Sequence, residues 1–316
     1  MSHELEMVNG AAQMAYTIDD GKPWHKLGVA LDPTCTPQEM MKAAGLDWTV
    51  EKRENFHRNM DGEFVKSGNV SLIRSTDSKI LTQISDSWNP VQNSEAFDFF
   101  TEFCKAGDMT MNSAGSLFDG KKIWALAKVA SDFTVFGDDR VEGYLLFSNP
   151  HQYGQCVDVR FTPIRVVCNN TLSMSLGQEA KHFARFNHTK EFDSALAKEI
   201  LGISTVRMEE YKEVAEFLGS KQINDAKYKE FLGKVFGTNQ DGEMKRNGKL
   251  AYEVFETQPG AEFARGSFWQ ALNSVTYITD HQLGRSAHKR VDNMWIGGVQ
   301  RQKIKAVEIA LQMAKA

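Results

Sequence analysis

The sequence contains few cysteines and no long apolar run, and each absence narrows the kind of protein it encodes. Four cysteines occur among 316 residues, far apart and with no Cys-x-x-Cys pair. Such a pattern is typical of reduced cytoplasmic thiols rather than of disulfide scaffolds or zinc sites. No stretch reaches the roughly 20 apolar residues of a membrane-spanning helix, and residues 1–4 lack the basic and apolar regions of a signal peptide. We therefore expect a cytoplasmic protein that does not enter a membrane.

The sequence also lacks a strong excess of either charge. The formal net charge is −4, and residues 246–316 carry ten Lys or Arg against six Asp or Glu, which leaves the preceding residues acidic. A protein of this balance has no strong overall attraction to nucleic acid. Any site for a polyanion must therefore be a local groove.

Signatures of the common catalytic sites are missing as well. We find no phosphate-binding loop, dinucleotide fingerprint, nucleophile elbow, zinc-protease helix motif or protein-kinase set. The sequence therefore indicates no catalytic residue, no metal site and no cofactor, and it favours a role other than that of an enzyme.

Strand and turn patterns dominate the first half of the chain. Residues 46–50 alternate apolar and polar side chains, as a half-buried strand does. Residues 70–74 and 80–84 flank a polar turn and predict a hairpin, and Asp119-Gly120 predicts a second one.

Helix signals occur at three points in this half. Thr36 to Glu39 form a capping box that opens a helix closed by Gly45. A second helix is predicted to be capped by Asn93 or Ser94 and to end at Gly107. A third begins at Thr162-Pro163, although the β-branched residues that follow leave a strand open as an alternative.

Helical spacing takes over after about residue 190. We predict an α+β fold with a strand-rich antiparallel domain with packed helices over residues 1–190 and a mainly helical region over residues 191–316. The helical region is expected to pack on the first domain. The polar segment 239–249 is predicted to be a linker or mobile loop.

Four short motifs carry a resemblance to a known family. They are residues 23–28 (PWHKLG), 89–93 (NPVQN), 165–172 (RVVCNNTL) and 276–281 (TYITDH). In this order, over nearly the whole chain, they resemble the phage/plasmid-like protein family of unknown function. The resemblance implies a bacteriophage or mobile-element origin and a place in the host-cell cytoplasm, and it transfers no catalytic residue. The layout is also similar to that of the ring-forming single-strand annealing proteins of recombination, in topology alone.

Polar residues around 160–170 form the first candidate site. Arg160, Arg165 and Asn169 could line a groove, since guanidinium groups fit phosphates and amides read base edges. The alternative is that Arg165 forms a salt bridge and Asn169 supports a turn.

Further cations extend the prediction. Lys121 and Lys122 stand beside the predicted hairpin turn, where we expect them to be exposed, and Arg74 lies on a strand. Trp48 and Trp124 could stack bases, but their apolar neighbours favour the core.

A cationic loop is the last candidate for nucleic-acid binding. It contains Arg285, Lys289 and Arg290 and could contact a polyanion or simply be solvated. A metal site built from Asp280, His281 and His288 is a weaker alternative, because no ligand pair has metal spacing.

Three functions follow from these observations. The first is a nucleic-acid-binding protein that binds or anneals single-stranded DNA in recombination or replication and acts as a homo-oligomer. The second is a binding or assembly protein that engages a host factor or a small ligand. The third is a metal-dependent nuclease or nucleotide-processing enzyme.

Overall fold

A computed structural model of the protein describes residues 6–8, 10–18, 27–165, 170–171, 183–188, 204–283 and 298–316. The fold is α+β, as predicted. The strands are β1 (Met7–Val8), β2 (Ala11–Ala12), β3 (Met14–Thr17), β4 (Val29–Leu31), β5 (Val50–Arg58), β6 (Phe64–Arg74), β7 (Ile80–Ser85), β8 (Met109–Leu117), β9 (Lys122–Val135), β10 (Asp139–Pro150), β11 (Val157–Arg165), β12 (Asn170–Thr171) and β13 (Phe183–Phe186). The helices are α1 (Pro37–Ala43), α2 (Asn93–Ala106), α3 (Ser204–Ser220), α4 (Asp225–Phe236), α5 (Arg246–Glu253), α6 (Phe268–Tyr277) and α7 (Gly298–Lys315), and a π-helical segment, Ile278–Gln282, follows α6.

The strands form three sheets. β1 and β2 make a small ribbon, and β5, β6 and β7 make an antiparallel three-stranded sheet in chain order. The largest sheet has the order β12-β11-β10-β9-β8-β3-β4, with β13 also paired to β11. Strand β4 runs parallel to β3, whereas β8 runs antiparallel to it.

The chain divides into two compact units that interleave along the sequence. Unit 1 comprises Met1–Ala130, Leu145–Phe161 and Phe183–Leu201. Unit 2 comprises Ser131–Tyr144, Thr162–His182 and Gly202–Ala316. The predicted division near residue 190 concerns independently folding domains and stays a prediction.

The core of unit 1 is formed by helices α1 and α2 together with strands of the three-stranded sheet and of the largest sheet. The capping box of α1 is confirmed, since Glu39 N donates to Thr36 Oγ1 at 3.2 Å and Thr36 N donates to the Glu39 carboxylate at 2.8 Å. Helix α2 ends at Gly107, which has the positive φ of 81° that favours glycine at this position. Phe100 of α2 is buried, and the centroid of its ring lies 6.2 Å from the centroid of the Phe147 ring. Each such phenyl contributes about 1.5–3 kcal/mol by leaving water.

Unit 2 is organised around α6, whose residues from Phe268 to Thr276 are all buried. Ser267 caps this helix, and the Trp269 indole donates to Asp139 Oδ2 at 3.2 Å. Such a fully enclosed helix must satisfy its polar side chains internally, because an unpaired buried polar group is costly.

The helix predicted from Thr162 is wrong for the residues that the structure describes. Residues 162–165 continue strand β11, and Ile164 and Arg165 pair with Thr171 and Asn170. The ladder to β12 gives the backbone its hydrogen bonds and supports the extended conformation that β-branched residues favour. The two predicted hairpins, β6–β7 and β8–β9, are confirmed.

One turn sequence, Asn-x-Asp-Gly-Glu, occurs twice with the same conformation. Asn59 N donates to Glu63 O at 2.9 Å, and Asn239 N donates to Glu243 O at 2.8 Å. In each turn the asparagine Oδ1 accepts from the glutamate N–H at 2.8 Å. The first turn joins β5 to β6, and the second lies within the segment predicted to be a mobile loop.

Candidate functional site

Arg74 lies in a buried ion-pair cluster of unit 1. Its guanidinium binds Asp77 Oδ2 at 2.6 Å and Glu6 Oε1 at 2.6 Å, and its side chain is 5% exposed. The hydrogen bond to Asp77 raises the pKa of Arg74, and the same bond lowers the pKa of Asp77 to about 2. A phosphate could reach this guanidinium only by displacing both carboxylates.

Lys121 and Lys122 lie beside the same cluster. Gly120 in the β8–β9 turn is so close that a Cβ there would stand 2.7 Å from Arg74 Nη1. Lys121 is half-buried, and Lys122 is buried at the start of β9. The expectation that both lysines are exposed is therefore wrong for Lys122. Lys122 is opposite Leu117 in the β8–β9 register, so it lies within the paired ladder rather than in the open turn.

Arg160 is also buried and bound to a carboxylate. Its Nη2 lies 2.6 Å from Asp158 Oδ2, and Arg185 Nε approaches the same oxygen at 3.0 Å. Asp158 and Arg185 are opposite each other in the β11–β13 register, which explains the shared carboxylate. Of the three side chains, only Arg185 is largely exposed.

The remaining predicted residues fall outside the described part. Arg165 ends β11, and its side chain is not described. Asn169, Arg285, Lys289 and Arg290 lie outside the described residues altogether. The structure thus brings Arg74 and the Lys121–Lys122 turn together. For all of the predicted residues, nucleic-acid contact stays a prediction.

Asp280, one of the three residues of the alternative metal site, is bound to a lysine. It forms a buried ion pair of 2.8 Å with Lys303, and both side chains are 0% exposed. His281 is exposed, 5.1 Å from the ring of Tyr277, and His288 lies outside the described residues. Within the described part, no three His, Cys, Asp or Glu side chains group as a metal site.

A feature that the sequence reading missed is a projecting hairpin. Residues 53–69, which we call the arm, comprise the distal parts of β5 and β6, and each is exposed or half-buried. β7 pairs only with Asn69–Ile73 of β6, so the described strands leave the distal part of the arm as a two-stranded ribbon. A ribbon with so little buried surface contributes little to folding stability. Its exposed apolar side chains are therefore candidates for contact with another molecule.

One face of the arm combines aromatic and cationic side chains. In the register of β5 and β6, Phe56 is opposite Lys66, and Arg58 is opposite Phe64. Side chains two apart on a strand share a face, as do directly opposite residues, so these four lie together and form what we call the arm face. Phe56 is 50% exposed and Phe64 is 68% exposed. The guanidinium of Arg58 lies 5.0 Å from the centroid of the Phe64 ring.

The sequence did contain a signal for this face. Phe56 and Arg58 are spaced by two, as are Phe64 and Lys66, around the Asn-x-Asp-Gly-Glu turn. Period-two patterns are usually searched for as apolar against polar, and here both faces carry polar residues. Only the strand register puts the two pairs side by side.

Comparison with known proteins gives one family. Residues 80–295 match a family described as Domain of unknown function (DUF932). The chain belongs to this family. No curated protein and no solved structure matches the chain.

The family match covers most of the candidate residues but not the arm. It begins at Ile80, the first residue of β7, and so includes Lys121, Lys122 and Arg160 and excludes Arg74 and the arm face. The description of the family assigns no chemistry to any of them. A search of the described residues finds no helix with the length and apolarity needed to cross a membrane.

Proposed function

We propose that this chain is a nucleic-acid-binding protein that holds a single strand across the arm face. The observation that carries the proposal is the exposed, in-register set of Phe56, Arg58, Phe64 and Lys66 on a projecting ribbon. Proteins that bind single strands without sequence preference combine aromatic platforms for bases with cations for the backbone.

The proposed mechanism uses stacking for affinity and charge for positioning. Phe56 and Phe64 are diagonal neighbours across the two strands, a placement that puts side chains about 7–8 Å apart. Two stacked bases contribute about 2–6 kcal/mol together. Arg58 and Lys66 then contact the phosphates on either side.

Acidic neighbours do not prevent this binding. Lys66 Nζ lies 2.5 Å from Glu54 Oε1, and Arg53 pairs with Glu51 in the same way. Exposed ion pairs of this kind are weak, because water and salt screen them, so a phosphate can compete for the lysine.

The energy available at one arm implies weak binding by a single copy. Stacking worth about 2–6 kcal/mol corresponds to dissociation constants from roughly 30 mM to roughly 40 μM. Several copies along one strand bind far more tightly through their effective concentration. We therefore propose that the protein acts as a homo-oligomer. From the family resemblance we also propose a phage or mobile-element origin and a role in recombination or replication in the host-cell cytoplasm.

The deciding experiment is fluorescence anisotropy of a labelled single-stranded oligonucleotide titrated with the full chain at low salt. We expect binding that weakens with salt, and a loss of at least about 30-fold in the Phe56→Ala/Phe64→Ala variant, from the lower end of two stacking contacts. Arg58→Ala is expected to reduce the salt slope by about 0.7, the value for one phosphate of a single strand. Val65→Ala is the matched control, because Val65 is 41% exposed on the opposite face of the same strand.

Two results would contradict the proposal. One is no binding at low salt, and the other is equal affinity for the wild type and the double phenylalanine variant. In either case sedimentation of the same variants tests whether the arm face binds a protein partner.

A second candidate, a binding or assembly protein, is favoured by the open edge of β5. β5 is the first strand of its sheet, and among the described residues only β6 pairs with it. An edge strand presents unpaired N–H and C=O groups that a partner strand can complete. Concentration-dependent sedimentation without nucleic acid, unaffected by Phe56→Ala/Phe64→Ala, would select this function.

A further inference from the structure

The outer edge of strand β5 presents a defined row of backbone groups. In an antiparallel ladder, residues that exchange hydrogen bonds with the neighbouring strand alternate with residues whose N–H and C=O point away from it. Ser75 N donates to Thr49 O at 3.0 Å at one end of the β5–β6 ladder, and Asn59 N donates to Glu63 O at 2.9 Å at the other end. The odd-numbered residues of β5 therefore face β6, and the even-numbered residues face the outer edge.

The irregularity in the middle of this ladder does not change the alternation along β5. Glu54 pairs with Val70 and Phe56 pairs with Lys66, so only one residue of β5 lies between the two pairs, whereas β6 contributes three. The extra residues of the bulge therefore belong to β6. Strand β5 stays regular, and its even-numbered residues keep the same direction from one end of the arm to the other.

The side chain of Gln92 marks where the open part of this edge begins. Val50 N donates to Gln92 Oε1 at 2.9 Å, and Gln92 Nε2 donates to Val50 O at 3.1 Å, so both groups are bound as a partner strand would bind them. Beyond Val50, β6 is the only strand of the described part that pairs with β5. An incoming strand can therefore complete the outward-facing backbone groups from residue 52 to residue 58.

The side chains of β5 fit a second copy of the same strand. In an antiparallel pair about a two-fold axis, even-numbered residues must lie opposite even-numbered residues so that their edge groups meet. An axis at Phe56, which is 50% exposed, puts each Glu54 opposite Arg58 of the second copy and the two Phe56 rings opposite each other. Opposite charges and aromatic pairs directly across two strands both stabilise a sheet.

Other positions of the axis fit less well. An axis at any charged residue of β5 places that residue opposite its own copy, and an axis at Asn55 places Lys52 opposite Arg58. Like charges directly opposite each other destabilise a sheet. An axis at His57 brings no opposite charges of β5 together. The charge pattern therefore selects the register centred on Phe56.

We propose that two copies of this chain associate through their β5 edges, with Phe56 on the two-fold axis. The pairing joins the two arms into one ribbon with the strand order β6-β5-β5-β6. Because the axis is perpendicular to the ribbon, the arm faces of both copies lie on the same side and form one continuous surface. This inference rests on the proposed function, for which it supplies the interface of the homo-oligomer and a longer surface for one nucleic-acid strand.

Sedimentation velocity of the full chain without nucleic acid, at several concentrations, tests the pairing. Because short paired strands bury little surface, we expect a monomer–dimer equilibrium for the wild type. Glu54→Arg turns two opposite-charge pairs into two like-charge pairs, so the dissociation constant should rise about 10- to 100-fold, and Glu54→Arg/Arg58→Glu should reverse most of this loss. Glu213→Arg, the same change at an exposed position of α3, is the control and should behave like the wild type.

Cross-linking measures the register independently of the charges. Phe56→Cys places two thiols opposite each other across the axis, with the Cα atoms about 5.5 Å apart, a separation that a disulfide spans. Mild oxidation should link two copies through residue 56, as identified by peptide mass spectrometry. Val65→Cys is the control, because Val65 is 41% exposed but lies on β6, away from the axis, and should not form this link.

Three results would overturn the proposal. They are a wild type that stays monomeric at every concentration, a Glu54→Arg variant that dimerises as tightly as the wild type, and equal cross-linking of Phe56→Cys and Val65→Cys. Oligonucleotide binding is measured separately by anisotropy. A chain that binds the oligonucleotide as a monomer therefore refutes only the pairing, and a chain that dimerises without binding it refutes only the proposed function.

Discussion

Acidification between pH 8 and pH 5 is expected to destabilise the protein through His151 and His188. Burial lowers the pKa of His151 from 6.5 to about 3 and the pKa of His188 from 6.5 to about 4. Both rings are therefore neutral in the folded protein across this range. In the unfolded chain both take up a proton as the pH falls below 6.5.

The sign follows from proton uptake. The unfolded state binds more protons than the folded state below pH 6.5, so the free energy of unfolding falls as the pH falls. The stability is fully present above about pH 6.5, declines below it, and levels off once the pH passes below the depressed folded values. At pH 5 each histidine costs about 2 kcal/mol, at 1.36 kcal/mol per pH unit, and the pair costs about 4 kcal/mol. This is a large part of the about 5–15 kcal/mol of a typical domain.

Carboxylates such as Asp77 affect the free energy of unfolding at a lower pH than the histidines do. The lowered pKa of Asp77, about 2 against 3.8, stabilises the fold above pH 3.8, and this contribution is lost as the pH falls toward 2. The interval from pH 8 to pH 5 is therefore dominated by groups that titrate near pH 6.5. His188→Gln should remove about half of the pH dependence attributed to the buried pair.

The assay is urea unfolding of the full chain at several pH values, followed by tryptophan fluorescence and circular dichroism. His57→Gln provides the control, because His57 is exposed on the arm. A free energy of unfolding that stays constant from pH 8 to pH 5 would refute the reasoning. So would a His188→Gln variant that folds and retains the wild-type slope.

Three further predictions concern the cores and a thiol. Arg74→Met is expected to lower the free energy of unfolding by about 3–5 kcal/mol, because it leaves the buried Glu6 carboxylate without its partner. Lys79→Met, which removes an exposed ion pair, should change it little. Urea unfolding measures both, and an Arg74→Met variant as stable as the wild type would show that the pair is not buried in solution. Phe100→Ala is expected to cost about 3–5 kcal/mol by opening a cavity in the unit 1 core, as measured by thermal unfolding, and a loss below about 1 kcal/mol would contradict the packing. Burial raises the pKa of the Cys35 thiol to about 11, so its alkylation by iodoacetamide, followed by peptide mass spectrometry, should stay slow at pH 8 and accelerate toward that value; rapid modification at pH 8 in the folded chain would count against it.

Local signals in the sequence were sufficient wherever neighbouring residues satisfy one another. The Thr36–Glu39 capping box closes within four residues and requires no distant partner. Asp119-Gly120 forms its turn with positive φ at both positions, 60° and 85°, which these residue types tolerate. The alternation over residues 46–50 predicted correctly which side chains are buried, but the predicted strand is wrong for residues 46–49, because β5 begins only at Val50.

Distant partners decided the segments where the sequence misled. The apolar face of Ile164 fits a helix or a strand equally well, and the pairing of residues 164–165 with residues 170–171 selects the strand. The availability of the cationic side chains also depends on partners that are distant in the sequence. An arginine such as Arg74 looks available to phosphate until Glu6, far away in sequence, is brought beside it.

The amino-acid sequence alone determined the α+β class, the main hairpins and helix ends, and the absence of the familiar catalytic motifs, because propensity, capping and turn chemistry act over a few residues. The tertiary structure decided which cations are neutralised, that Phe56, Arg58, Phe64 and Lys66 share one exposed face, and that Asn149, His151 and His188 are buried. Those outcomes depend on strand register and on contacts between residues up to about a hundred positions apart, such as His188 and Asn89. Pairings at that range are set by burial of the whole core rather than by any local pattern.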